Sequence, residues 1–336
     1  MAEVLETQEQ FPVNRPPACA GRSHVWWAMP TLPLLQLPYT TTAQPWLRVS
    51  IIRGRPLGPN LIHAIMNPSL LPLVVEPAQL ESMLGDENLL IVDLRKPEGY
   101  ATSHIPGALP LDYAHIVTSR PPAMGLLPDD TQLSTVFSRL GLTPQTHIVA
   151  YDDEGGGRAA RLLWTLELIG HLRYSLLDGG MHSWMAEHRP VSHHSGQRPS
   201  TDYRVANKAP VWADLAYVRT HLHDPQVILV DARSPQEYSG QKRLAERGGH
   251  IPGAVNFDWI QALDQHNNLR LIPADTLRAQ LTQRGITPDK EAIVYCQTHH
   301  RSAHTYLVLK NLGYTRIRGY PGSWSEWGNH PDTPIE

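Results

Sequence analysis

The stretch Leu89-Leu-Ile-Val-Asp93-Leu-Arg95 recurs later in the chain as Val227-Ile-Leu-Val-Asp231-Ala-Arg233. Each copy is followed by the same pentapeptide, which is His104-Ile-Pro-Gly-Ala108 in the first copy and His250-Ile-Pro-Gly-Ala254 in the second. A run of four apolar residues that ends at an aspartate is typical of a buried strand in a parallel sheet. The two pairs of motifs lie 138 and 146 positions apart, so the sequence predicts a duplicated domain.

Two further landmarks follow in the same order. Ile148–Tyr151 matches Ile293–Tyr295 at a distance of 144 positions, and a Gly-rich motif ending at Trp184 matches one ending at Trp324, 140 positions later. Between these landmarks, short β-branched runs alternate with helical patterns, which predicts βαβ units. We therefore expect an α/β fold with two similar domains, each a mostly parallel sheet with helices on both faces.

Composition divides the chain into segments. Residues 1–65 contain nine Pro but no Lys or Asp and show no helical or strand period, which predicts a disordered extension. Two alternatives stay open for it: an organelle transit peptide, or translated upstream sequence before a natural start at Met66. We expect the first domain over residues 66–195, a polar linker over residues 196–210 and the second domain over residues 211–336.

The overall composition argues against several classes of protein. The 336 residues carry a formal net charge of -3, which disfavours nucleic acid as a partner. The two Cys cannot form a disulfide framework, and no spacing fits a metal site. No apolar run approaches the roughly 20 residues of a membrane span, and the acidic start is unlike a secretory signal. We expect a cytoplasmic protein without a membrane partner, a metal or a cofactor.

Cys296 directly follows the buried-strand pattern Ala292-Ile-Val-Tyr295, and a helical pattern begins a few residues later. Open α/β sheets bind ligands in such loops at the carboxyl ends of their strands. Backbone amides, the helix dipole, Arg301 and protonated neighbouring histidines would lower the pKa of the thiol. We interpret Cys296 as a nucleophile; the alternative is a small buried core cysteine.

In these features the chain resembles the tandem-domain rhodaneses, a family of sulfurtransferases. The resemblance extends from about Val75 to Glu336. It rests on the Asp-x-Arg strand ends, the two His-Ile-Pro-Gly-Ala elements, the loop cysteine and the closing Gly319-Tyr-Pro-Gly-Ser-Trp-Ser-Glu-Trp327. It implies two rhodanese domains, of which only the second is catalytic. Asp152 has the place of Cys296 in the first domain, and a carboxylate cannot carry a sulfane sulfur.

By the same resemblance, Cys296 takes the outer sulfur of thiosulfate, is left as a persulfide, and passes that sulfur to cyanide or to another thiophilic acceptor such as a protein or small thiol. The loop is similar to the Cys-Gln-Thr-His-His-Arg loop of certain bacterial rhodaneses. Its basic residues favour thiosulfate over mercaptopyruvate, the alternative donor. A departure from the family is Glu237, where members often place a substrate-binding arginine. The expected substrate-binding residues are Gln297, Thr298, His299, His300 and Arg301.

Two other functions stay open as alternatives. Cysteine-dependent phosphatases and arsenate reductases use a similar loop, but their arginine lies six positions after the cysteine. Here Arg301 lies five positions after Cys296, and the shorter loop suits a persulfide better. A non-catalytic rhodanese binding module would agree with Asp152 in the first domain, but the intact Cys296 argues against it for the whole chain.

Structural roles are expected for several other motif residues. Asp93 with Arg95, and Asp231 with Arg233, are predicted to form ion pairs at the ends of their strands. Trp324 and Trp327 are expected to pack under the cysteine loop rather than to bind a ligand.

Overall fold

The computed structural model describes residues 71–205 and 209–336. The predictions for residues 1–65 lie outside these ranges. The last helix of the first domain ends at Ala186 and the first helix of the second begins at Leu215, and the described residues between them form only isolated β-bridges. Within the two described ranges, no helix combines the length and apolar character needed to cross a bilayer.

The first domain is built on a parallel sheet. Its strands are β1 (Val74–Val75), β2 (Leu89–Asp93), β3 (Leu109–Pro110), β4 (Thr118–Arg120), β5 (Ala123–Leu126), β6 (His147–Tyr151) and β7 (Tyr174–Leu177). Five of them pair in the order β1-β7-β6-β2-β3, all parallel, whereas β4 and β5 form a separate antiparallel pair. The helices are α1 (Pro77–Glu81), α2 (Pro97–Thr102), α3 (Asp130–Arg139), α4 (Gly157–Leu168) and α5 (Gly180–Ala186), with a 3-10 turn over Tyr113–His115.

The second domain repeats this plan. Its strands are β8 (Val227–Asp231), β9 (Val255–Asn256), β10 (Leu263–Asp264), β11 (Arg270–Leu271), β12 (Glu291–Tyr295) and β13 (Ile317–Gly319). The parallel sheet has the order β13-β12-β8-β9, and β10 and β11 form an antiparallel pair. The helices are α6 (Leu215–Thr220), α7 (Pro235–Tyr238), α8 (Ala274–Gln283), α9 (Arg301–Asn311) and α10 (Ser323–Trp327), with a 3-10 turn over Trp259–Ala262.

Side chains of the central strands alternate between two buried layers. In β2, Leu90 and Val92 enter a large apolar cluster, whereas Leu89 and Ile91 enter a smaller cluster on the other face. Strands β8 and β12 divide their side chains in the same way. Because both faces of each sheet are covered, these strands are continuous apolar runs in the sequence. The α/β fold with mostly parallel sheets is confirmed.

The two domains share their largest cluster and pack mainly through α4 and α9. All residues of α4 except Arg158 are buried. At the edge of this contact, Lys310 of α9 forms an ion pair with Glu167 of α4. Because Cys296 and Asp152 lie just before these two helices, the packing brings the two loops to one boundary between the domains.

The predicted ion pairs at the strand ends are confirmed. Arg95 Nη2 lies 2.7 Å from Asp93 Oδ2, and Arg233 Nη2 lies 2.6 Å from Asp231 Oδ2. Arg233 also donates a hydrogen bond to the carbonyl of Gly249, just before the second His-Ile-Pro-Gly-Ala element. Each pair therefore connects a strand end to the segment that follows it.

The structure corrects the pairing of the closing tryptophans. Trp184 Nε1 donates to the carbonyl of Pro190, and Trp327 Nε1 donates to the carbonyl of Pro334, both at 2.8 Å. These two tryptophans also occupy the same position, the fifth, in α5 and α10. Trp327 is therefore the counterpart of Trp184, and the predicted pairing with Trp324 is wrong. The sequence alignment slipped by three residues because a Ser-Trp dipeptide occurs in both motifs.

Candidate active site

Cys296 is the first residue after β12, in the loop that ends where α9 begins at Arg301. It is buried, with 1% of its surface exposed. Within the loop, His299 has a φ of 54°, in the left-handed region that a residue with a side chain enters at a cost of about 1–3 kcal/mol. The loop keeps this conformation because contacts from both domains hold it.

Ser323, the first residue of α10, holds the cysteine loop from the second domain. Its Oγ accepts hydrogen bonds from the backbone N–H groups of Cys296 at 3.3 Å and His299 at 3.1 Å, and donates to the carbonyl of Tyr320. The amide of Trp324 donates to the carbonyl of Cys296 at 3.0 Å. Trp324 is buried next to the loop, in agreement with its expected packing role. Sequence reasoning missed this role of Ser323, because the only signal for it is its position in the closing motif.

The surroundings of Cys296 favour its thiolate form. Burial alone would raise the pKa of the thiol. The charge of Arg301, the hydroxyl and amide of Ser302 and the amide of Thr298 outweigh burial and hold the pKa below its ordinary value. The sequence predicted this direction and the role of Arg301. It did not predict the contribution of Ser302.

Arg301 forms a bidentate ion pair with Glu237. Its Nη1 lies 2.7 Å from Oε2 and its Nη2 lies 2.8 Å from Oε1. Burial would raise the pKa of Glu237, but Arg301 and Ser234 outweigh it and lower the pKa to about 2. Glu237 is therefore ionised at physiological pH. The guanidinium beside Cys296 is already partly neutralised by the protein itself.

Two of the predicted substrate-binding side chains contact other parts of the protein. Gln297 Nε2 donates to the carbonyl of Leu244 at 2.9 Å. His299 is fully buried, its Nδ1 lies 2.8 Å from Ser302 Oγ, and its ring meets Trp164 edge-on with 4.3 Å between centroids. Burial and nearby positive groups hold the pKa of His299 well below its ordinary value, so it is neutral. A protonated His299 is therefore not a source of charge for the thiolate.

The first domain forms the opposite side of the site. His300 Nε2 lies against the carboxylate of Glu154, and the ring of Tyr113 stands 5.5 Å from the imidazole of His300. Burial raises the pKa of Tyr113 to about 12, so its hydroxyl stays protonated. Arg161 Nη1 lies 3.5 Å from the carbonyl oxygen of Thr298. Tyr113 and Arg161 belong to none of the repeated motifs, and Glu154 lies in the matching loop of the first domain, two residues after Asp152. Sequence reasoning assigned none of the three to the site.

The matching loop of the first domain is occupied by its own carboxylate. Asp152 Oδ1 accepts hydrogen bonds from the amides of Glu154 at 3.0 Å and Gly156 at 2.7 Å, and its Oδ2 accepts from the amide of Ala159 at 3.0 Å. Burial and the charge of Glu154 raise the pKa of Asp152, and the three amides only partly offset them. The amides that would receive an anion in this loop are thus already in use.

The fold and the site together define a class of enzymes in which a cysteine thiolate, placed between a parallel strand and a helix, acts as a covalent nucleophile. Among residues 71–205 and 209–336, no group of three or more His, Cys, Asp or Glu side chains is placed to hold a metal ion. The chain belongs to the rhodanese family: the model of the rhodanese-like domain matches it twice, over residues 76–187 and 214–330. The predicted pair of rhodanese domains is confirmed.

Relatives with assigned functions match most of the chain. A thiosulfate sulfurtransferase of Azotobacter vinelandii is 47% identical over 266 residues, which cover 79% of this chain and 97% of the relative. A thiosulfate sulfurtransferase of Pseudomonas aeruginosa is 46% identical over 271 residues, with the same two coverages, 79% and 97%. Among solved structures, the Tum1 protein from Saccharomyces cerevisiae has a TM-score of 0.70 at 22% identity, covering 80% of this chain and 98% of that chain. This last likeness concerns the fold alone.

Proposed function

We propose that the protein is a thiosulfate sulfurtransferase that carries a sulfane sulfur on Cys296. Relatives of that name are 46% and 47% identical over most of the chain, and they confirm the sulfurtransferase activity predicted from the sequence. One observation carries the choice of Cys296: its buried sulfur lies where Arg301 and the amides of Thr298 and Ser302 favour the thiolate. A buried core cysteine without such partners would have a raised thiol pKa.

In the first half-reaction, the thiolate of Cys296 attacks the outer sulfur of thiosulfate. A bond forms between these two sulfurs, the bond from the outer sulfur to the sulfonate breaks, and sulfite leaves with the electron pair. The enzyme becomes a persulfide anion with the same charge as the thiolate. We expect the amides of Thr298 and Ser302, which favour the thiolate, to stabilise the negative charge of the persulfide as well.

In the second half-reaction, an acceptor removes the outer sulfur. The carbon of cyanide attacks it, the bond between the two sulfurs breaks, and its electron pair returns to the sulfur of Cys296. Thiocyanate leaves, and the thiolate is ready for the next donor. The two half-reactions predict ping-pong kinetics. Cyanide, a small thiol or a protein as the acceptor, and the cytoplasmic location, stay predictions.

The identity of the donor depends on the charge around Cys296. Arg301 supplies a positive charge that would attract the sulfonate of thiosulfate. Its bidentate pair with Glu237 reduces that attraction. Mercaptopyruvate, whose single carboxylate depends less on a full positive charge, is therefore the donor to compare with thiosulfate.

The same ion pair argues against a phosphatase or an arsenate reductase. Both terminal nitrogens of Arg301 pair with the carboxylate of Glu237, so the Nη1–Nη2 edge of the guanidinium is not open to a tetrahedral oxyanion. The binding-module alternative agrees only with the loop of the first domain, where Asp152 replaces the cysteine.

The test is mass spectrometry of the purified protein after exposure to thiosulfate. We expect one added sulfur on the peptide that contains Cys296, its loss when cyanide is added, and formation of thiocyanate in the same sample. Parallel samples receive 3-mercaptopyruvate or p-nitrophenyl phosphate in place of thiosulfate. A persulfide formed only from mercaptopyruvate would replace the proposed donor, and hydrolysis of the phosphate ester without any persulfide would overturn the proposed function.

A further inference from the structure

Arg161 is a fully buried arginine in α4 of the first domain. Its terminal nitrogens contact the carbonyl oxygens of Gly125 at 3.0 Å, Leu126 at 3.3 Å, His299 at 3.4 Å and Thr298 at 3.5 Å. The first two carbonyls belong to β5 and the last two to the cysteine loop. One guanidinium therefore spans the boundary between the domains.

The charge of Arg161 is unusual for its surroundings. Among the described residues, no carboxylate forms an ion pair with it, and its Nε has no hydrogen-bond partner. A buried cation without a counter-charge is costly, and carbonyl dipoles compensate for only part of that cost. Burial lowers the pKa of Arg161, whereas Tyr113 and Cys296 raise it. The thiolate or persulfide of Cys296 is thus an anion that can balance this charge.

The contacts of Arg161 fall on the strained part of the cysteine loop. The amide of His299 is held by Ser323 of the second domain, and its carbonyl is held by Arg161 of the first. Trp164, one helical turn after Arg161 and on the same face of α4, packs against the ring of His299. The left-handed His299 is thus held on both sides, once from each domain.

Strand β5 also approaches the loop closely. A Cβ built on Gly125 would lie 2.2 Å from the carbonyl oxygen of Thr298, so only glycine allows the two backbones to meet here. Arg161 donates to the carbonyls on both sides of this meeting point. A fork of several donors can bridge them, whereas the single ammonium of a lysine cannot reach them all.

We propose that Arg161 is a positioning residue through which the first domain fixes the shape of the cysteine loop and adds positive charge near the sulfur. The inference rests on the proposed role of Cys296 as the sulfur carrier. It gives the first domain a part in catalysis although its own loop carries no nucleophile.

The test measures the thiol directly. In a Cys19→Ser background, where Cys296 is the remaining cysteine, the rate of alkylation by iodoacetamide is followed against pH. We expect Arg161→Gln to move the midpoint upward by about one pH unit and to slow alkylation at pH 7 by about tenfold. We also expect kcat for thiocyanate formation to fall by a similar factor, with KM for thiosulfate changed less than about twofold. An unchanged alkylation profile would overturn the role of the charge.

Two further variants separate charge from geometry. Arg161→Lys keeps the charge but loses most of the carbonyl contacts, so its midpoint should stay near that of the wild type while kcat falls by about threefold. If Arg161→Gln does not fold, this variant still decides, because an unchanged kcat would overturn the positioning role. The control is Arg198→Gln, since Arg198 also donates to backbone carbonyls, those of Gly141, Leu89 and Glu87, and none of these belongs to the cysteine loop. It should lower the melting temperature without moving the alkylation midpoint.

The outcomes for Arg161 and for the proposed function are distinguishable. Alkylation requires no sulfur donor, so it reports on Arg161 even if thiosulfate fails as a substrate. Conversely, a wild-type alkylation profile together with a wild-type kcat in Arg161→Gln would reject the inference and leave the persulfide chemistry of Cys296 unaffected.

Discussion

The cysteine loop of the second domain and the aspartate loop of the first have the same frame but different contents. Each follows a buried parallel strand and leads into a buried helix. In each, the backbone carbonyl of the first loop residue accepts a hydrogen bond from an amide of a later helix. The amide of Met181 donates to the carbonyl of Asp152 at 2.9 Å, as the amide of Trp324 does to that of Cys296 at 3.0 Å. The difference lies in what the loop amides face.

In the first domain, the carboxylate of Asp152 accepts hydrogen bonds from three loop amides, so these amides are not free to bind another anion. In the second, the amides of Thr298 and Ser302 act on a sulfur, and Arg301 adds a positive charge. The net effects on ionisation are opposite, because the pKa of Asp152 is raised and that of Cys296 is lowered. The same backbone frame is therefore closed by a carboxylate in one domain and favours a thiolate in the other, depending on a few side chains.

The largest effect is expected from removing Cys296, the residue that distinguishes the second loop from the first. Cys296→Ala should abolish sulfur transfer, because no other group in the loop can carry a persulfide. Thiocyanate formation from thiosulfate and cyanide measures it. Cys19→Ser is the matched control and should keep wild-type activity. Undiminished transfer by Cys296→Ala would show that the carrier lies elsewhere.

A second change would place a cysteine in the first loop. Asp152→Cys in a Cys296→Ala background should not restore transfer, because Gly157 stands where Arg301 stands in the second domain and Glu154 lies beside the new thiol. We expect the midpoint of its alkylation to lie at least about one pH unit above that of Cys296. The thiol at position 152 would then already be protonated at a pH where Cys296 is still a thiolate. Asp153→Cys, at the exposed neighbouring position, is the control. Transfer above about a tenth of the wild-type rate would show that the loop amides suffice without a cation.

A smaller effect is expected from freeing Arg301. Glu237→Gln removes the negative charge but keeps an oxygen that can accept from Ser234 in the capping box of α7. We expect KM for thiosulfate to fall by about fivefold, since the guanidinium then offers more of its charge to the dianion. Steady-state kinetics with thiosulfate and with mercaptopyruvate measure it, and Glu246→Gln at an exposed position is the control. An unchanged KM for thiosulfate would mean that Arg301 does not contact the donor.

The smallest effect concerns the support of the loop. Ser323→Ala removes the oxygen that accepts from the amides of Cys296 and His299, which should cost about 1–2 kcal/mol of stability and lower kcat by about threefold. Urea unfolding and kinetics measure the two effects. Ser325→Ala is the control, because the Oγ of Ser325 accepts from the amide of Met124 in the first domain. Only its backbone amide, which the substitution keeps, bonds to the cysteine loop, at the carbonyl of Gln297. Equal kcat losses in both variants would contradict a specific role for Ser323.

Much of the fold was predictable because its buried strands appear in the sequence as short apolar runs. Runs such as Leu89–Asp93 are buried on both faces, and this burial is visible as unbroken apolar sequence. Pairing Trp184 with Trp324 failed for a related reason. A dipeptide match fixes no hydrogen bond, and only the shared bond from indole to proline carbonyl identified Trp327 as the counterpart.

Within the site, the sequence identified Cys296 and its basic loop but not their supports. Ser323, Arg161 and Tyr113 are distant in the chain, and no spacing links them to the cysteine. The charge predicted for the loop histidines also came from residue type alone. His299 would contribute charge if it were exposed, but it is buried against Trp164 and stays neutral.

The sequence by itself determined the two-domain α/β fold and the family, and it singled out Cys296 as the proposed nucleophile, because strands, turns and a cysteine at a strand end are encoded by residue type and short spacing. Tertiary structure alone decided the electrostatic balance of the site. It placed Glu237 against Arg301 and brought Arg161 from the other domain to the cysteine loop. Charges act through distances in space and through burial, and neither quantity can be read from positions along the chain.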